Sequence, residues 1–121
     1  MKQSFQNSGN RTSVISILGK DIIFGGDSMG GIKVWKWDGS DVKKLNDGMG
    51  SHTSMISSIL FQGNTIHTFS MDNRHSLWNA EKFNRIKTYD NIHKNGIVRA
   101  CIIGDKILTC GGDYLLHLHK I

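Results

Sequence analysis

The chain has no proline, and that absence excludes collagen-like repeats and proline-rich linkers at once. Cysteine is scarce as well. Cys101 and Cys110 are the two present, too few for a secreted disulfide framework and not in the paired CxxC spacing of a zinc site. A reducing compartment is therefore expected, cytoplasmic with the nucleus as the alternative. No apolar run approaches the roughly 18 residues of a membrane helix, and residues 1–6 hold no hydrophobic stretch that would serve as a signal peptide. What is plentiful is glycine, with 14 among 121 residues, a length that suits one domain. Lys and Arg number 15 against 10 Asp and Glu, a net charge of +5 that favours acidic partners.

Helical periodicity is missing too. Apolar residues come in short alternating or continuous runs, such as Val14-Ile15-Ser16-Ile17-Leu18 and Ile66-His67-Thr68-Phe69, broken by Gly, Asn, Asp and Ser. This pattern predicts an all-β protein. The runs also repeat. His52 lies 41 residues before His93, as Asp72 does before Asp113 and Trp78 before His119. An earlier copy places Asn10 at the His position, 42 residues before His52, and Trp35 at the Trp position, 43 before Trp78. Three copies with a period of about 42 residues fill the chain. Their bounds are read as 8–46, 50–89 and 91–121, with residues 1–7 as a closing outer strand. Each copy reads as three strands joined by Gly, Asn and Asp turns, followed in the first two copies by a more polar fourth strand.

On these residues the chain resembles the WD-repeat β-propeller family. The middle copy carries the fullest match: Ser51-His52 for Gly-His, Thr68 for the small hydroxyl residue, Asp72 for the turn aspartate and Leu77-Trp78-Asn79 for the closing strand. The third copy keeps His93, Thr109 and Asp113 but has His119 for Trp. The first keeps Trp35, with Asn10 for His and Met29 near the turn aspartate. The turn GGDSMGGIKVW is also similar to Gly-Asp-Ser turns in propellers of echinoderm-type microtubule-associated proteins. The resemblance implies WD-type propeller blades, four-stranded and antiparallel, in which His52, Thr68, Asp72, Trp78, His93, Thr109, Asp113 and Trp35 are structural. The full hydrogen-bonded set is expected in the middle blade alone.

No catalytic, cofactor or metal residue is read from the sequence. His117 and His119, two apart on a strand, point to one face and could chelate, but no further ligand is placed beside them. Cys101 and Cys110 alternate within apolar strands and read as buried small hydrophobes. Gly25-Gly26 and Gly30-Gly31 precede no helix and no Gly-Lys-Ser/Thr, so they read as hairpin glycines.

The expected function is a non-catalytic protein–protein interaction scaffold. Propellers hold partners on the loops before the first strand and between the second and third. Here those loops offer Arg11, Met29, Met55, Met71, Asn73, Arg74, Asn95 and Tyr114. Lysines and Arg85 on the third and fourth strands would form a basic outer rim suited to an acidic protein. The alternative is a nucleic-acid-binding propeller module in an RNA assembly, for which Trp37 is the one aromatic platform beside the charge. Three blades do not surround a propeller axis. The third copy reaches Ile121 straight after its third strand, and Gln3, Ser4, Phe5 and Gln6 stand in the phase of a fourth strand with no preceding blade. A homodimer closing a six-bladed ring is expected, with membership of a longer propeller as the rival.

Overall fold

A computed structural model describes residues 4–46, 48–49 and 52–120. Gln3, Ser51 and Ile121 lie outside the described residues. The first sheet runs in the order β1 (Thr12–Leu18), β2 (Ile22–Asp27), β3 (Ile32–Trp37) and β4 (Val42–Asn46). The second runs β5 (Ile56–Gln62), β6 (Thr65–Ser70), β7 (His75–Asn79) and β8 (Arg85–Tyr89). The third has β9 (Ile97–Ile103), β10 (Lys106–Gly111) and β11 (Leu116–Lys120), so that among the described residues β11 has β10 alone as neighbour. Every pairing among the described residues is antiparallel. The described residues contain no helix.

The sheets stack through their first strands, β1 on β5 and β5 on β9. Alternating side chains decide which face meets which neighbour. Phe24, Ile32 and Val34 of the first sheet are buried against Ile56, Ile59, Ile66 and Trp78 of the second, with Met49 beside them. On its other face the second sheet packs Phe69 and Leu60 against Ile97, Ala100 and Ile107 of the third. Serines stitch the inner strands across these seams: Ser13 and Ser16 Oγ donate to the carbonyls of Ile56 and Ile59 at 2.7 and 2.8 Å. The Ala100 amide donates to Ser58 Oγ at 3.0 Å.

The β2–β3 turn must also come close to the loop leading into the middle sheet. Gly30 sits there at φ 97°, where a Cβ would collide with the His52 carbonyl. Only glycine meets both demands at once.

Candidate interaction site

Within the middle blade the four residues of the repeat meet in one chain of bonds. Trp78 Nε1–H donates to Thr68 Oγ1 at 2.9 Å, and Thr68 Oγ1 lies 2.8 Å from His52 Nε2. His52 Nδ1 in turn lies 3.0 Å from Asp72 Oδ2. A carboxylate accepts, so Nδ1 carries the proton and Nε2 accepts from the hydroxyl. Burial pushes the His52 pKa down, against the opposing pull of Asp72, which favours this neutral tautomer. The third blade repeats the arrangement, His93 Nε2 to Thr109 Oγ1 at 2.8 Å and Nδ1 to Asp113 Oδ1 at 2.9 Å. Burial pushes Asp113 up, but bonds from His93 and from the Lys94 and Leu115 amides prevail and hold it at about 2.

The first blade solves the same problem with residues that the sequence comparison passed over. Gly25 pairs with Ile15 and Lys33 as Thr68 pairs with Ile59 and Ser76, so it stands at the hydroxyl position. The Asn7 side chain fills the space: Oδ1 accepts the Trp35 indole N–H at 2.9 Å and Nδ2 donates to the Gly25 carbonyl at 3.3 Å. Asp27 takes the turn role. It is buried and accepts from the amides of Met29 and Gly31, both at 2.9 Å, and from Ser8 Oγ at 3.1 Å. Met29 is the exposed tip of that turn and contributes no turn carboxylate.

The loops at this end of the blades divide into clips and exposed tips. Asn73, at φ 69°, accepts from the Ile92 amide through its carbonyl and from the Gly96 amide through Oδ1, tying the middle blade to the third. The Met71 amide donates to the Met55 carbonyl at 2.9 Å, and the Met71 side chain lies against Gly96. Arg74 Nε pairs with Asp90 at 3.0 Å. Arg11, Met29, Asn95 and Tyr114 are the exposed members. Tyr114 is 99% exposed, at φ 67°, a conformation a bulky residue rarely adopts.

On the rim, Lys36 pairs with Asp21 and Lys43 with Asp38, both at 3.9 Å. Lys44 lies over the Trp35 ring and Lys87 over Tyr89. Cys101 is exposed and Cys110 half-buried, both as free thiols, which corrects the expectation of two buried cysteines. Strand alternation sets them on the face opposite Ala100 and Ile107, and that face has no sheet against it among the described residues.

Histidines gather in the seam between the middle and third blades. His119 stands where the middle blade has Trp78, and beside it lies a cavity of about 200 Å³ lined by His75, Leu77, Tyr89, Ile92, Ile107, His119 and Lys120. His75 Nε2 shares a hydrogen bond with His67 Nδ1 at 2.9 Å, and the Nε2 atoms of His67 and His119 are buried without a partner among the described residues. His93, Asp113 and His117 bring ligating atoms within 4.8 Å of one another. Both His93 nitrogens and the Asp113 carboxylate are already bonded, and His117 lies edge-on to the His93 ring at 4.3 Å. A metal ion there would have to displace those bonds. His117 and His119 do not act as a pair, since one packs on His93 and the other lies in the cavity.

No family model matches the sequence, and no curated protein matches it. Among solved structures the chain is similar to a chain of a mitotic checkpoint complex, at 16% identity with a TM-score of 0.75, over 90% of this chain and 34% of that one. This chain thus spans about a third of its neighbour's length. At that identity the likeness concerns the fold alone, and the fold, read from the stacked antiparallel sheets and their repeated residues, is that of WD-type β-propeller blades.

Proposed function

We propose that the chain is a non-catalytic protein-interaction scaffold that presents its loop face and basic rim to an acidic protein partner, with a second copy of itself as a further partner. The carrying observation is Tyr114. A fully exposed aromatic ring on a strained backbone contributes nothing to the blade's own packing, while the loops beside it are clipped together by Asn73 and Met71. A rigid platform with an aromatic anchor loses little entropy on binding. Met29, exposed on the first blade, adds an adaptable apolar contact. The net charge of +5 supports the acidic character of the partner, and the free thiols suit a reducing, cytoplasmic setting. The structural neighbour itself belongs to a protein complex.

The test is affinity capture with wild type and with a Met29→Ala, Tyr114→Ala variant, in low and raised salt. A specific acidic protein lost by the variant and weakened by salt supports the reading. Equal capture by the variant overturns the choice of face. A filter assay showing tight, salt-sensitive RNA binding would favour the nucleic-acid module instead.

A further inference from the structure

The two seams inside the chain are built from one repeated pairing of faces, and one half of that pairing is left over at each end of the stack. Sheet register makes Ile15, Ile17, Ile23 and Trp35 of the first blade the counterparts of Ile59, Phe61, Ile66 and Trp78. The latter four lie in the first seam, yet Ile15 is 67% exposed. At the other end Leu108, Leu116 and Leu118 are the counterparts of His67, His75 and Leu77, and Leu116 is 72% exposed. One chain therefore carries both complementary halves of a third seam.

Strand pairing is left over in the same way. β3 and β7 each have an outer neighbour, β4 and β8, while β11 has none among the described residues. Residues 4–7 lie along the first blade without strand pairing. Phe5 rests on the Trp35 ring at 4.9 Å, yet 47% of its surface stays open. The bonds from Asn7 to Trp35 and Gly25 fix the segment on the face that a preceding blade would cover. The position just before the middle blade shows what such a segment does: Met49 is buried in the same cluster as Trp78, and its amide donates to the Ile32 carbonyl at the start of β3 at 2.9 Å. Counting back in register, Phe5 stands to Trp35 as Met49 stands to Trp78, and Leu116 stands to β11 as Ile32 stands to β3.

We infer that the 121-residue chain pairs with a second copy in which residues 4–6 of each protomer join the free edge of the other's β11, setting Phe5 beside Leu116 of that copy. This deepens, and rests on, the reading that a second copy is among the partners. The exchange covers both leftover faces at once. It yields six blades about a two-fold axis, within the four to eight that close propeller rings.

The experiment uses the whole chain with p-benzoylphenylalanine at position 5. Light scattering is expected to show a folded species of twice the 13.5 kDa chain mass, and irradiation should link position 5 to the peptide containing Leu116 of the other copy. Leu116→Lys with Leu118→Lys should return the protein to a monomer, with its far-ultraviolet dichroism showing whether the blades remain folded. A wild-type dimer whose cross-links miss β11 overturns the strand exchange while leaving self-association standing. A folded wild-type monomer overturns both, and β11 would then be open to a different extended segment.

Discussion

The carboxamide oxygen of Asn7 holds the indole N–H of Trp35 at 2.9 Å, the same separation at which Thr68 holds Trp78 in the next blade. A buried indole donor needs an acceptor, and here it comes from the chain just before β1 instead of from β2. The first blade thereby ties the N-terminal segment to its closing strand.

Asn7→Ala is expected to leave the Trp35 donor unpaired and to cost about 1–3 kcal/mol. Gly25→Thr alone should also destabilise, because a Cβ there would collide with the Asn7 side chain. Combined, the two substitutions should recover much of the loss, since the new hydroxyl accepts the indole bond in the vacated space. Urea denaturation of the four proteins measures this, and simple additivity would refute the exchange of roles.

In the middle blade, His52→Ala and Asp72→Ala each strand buried partners and should each cost about 1–3 kcal/mol. Removing both ends of one bonded pair leaves fewer orphans than the separate losses imply. The double variant should fall short of the sum in urea melts, and a strictly additive result would show that His52 and Asp72 act separately.

The strands were legible because each carries its own apolar alternation, and the middle network because His52, Thr68, Asp72 and Trp78 are spaced as in the repeat. The first blade was not. Aligning its Trp and spacing back set Asn10 on His52, whereas Arg11 receives the Ser28 amide as Met55 receives that of Met71, which puts Ser8 at the histidine position. A two-residue slip in a polar loop changes no apolar pattern, so Asn7, Ser8 and Asp27 went unread. For Asn73 and Met71 the sequence offered only a place on the loops. Polar or flexible side chains there carry no sign of packing, and the contacts with Gly96 show that they also work as clips between blades.

The cavity beside His119 predicts a gain. His119→Trp would occupy part of the space of about 200 Å³ beside it, remove a buried nitrogen that has no partner among the described residues and give Thr109 Oγ1 the indole bond that Thr68 has. Stability is expected to rise by about 1 kcal/mol, since filled volume and one new bond each contribute on that scale. An unchanged or lowered urea midpoint would mean that Tyr89 and Lys120 do not yield room for the ring.

Acid should unfold the protein through its seam histidines. Burial, followed by the neighbouring His67 and His119, lowers His75 to about 3 from an ordinary 6.5, and burial also lowers His67, His52 and His119. For a histidine lowered in the folded state, the unfolded chain takes up the proton first. Stability is therefore fully present above about pH 6.5 and falls as the solution is acidified, by about 1.4 kcal/mol per pH unit for each such group, until the folded pKa is reached. Between pH 6.5 and 4.5 the carboxylates, ordinarily near 3.8, contribute little, so the slope there reports the histidines. His75→Gln keeps a side chain able to donate to or accept from His67 and removes the most strongly lowered group. Urea denaturation across this window should show the variant's slope smaller by about one proton, and identical slopes would mean that His75 is not buried in its neutral form.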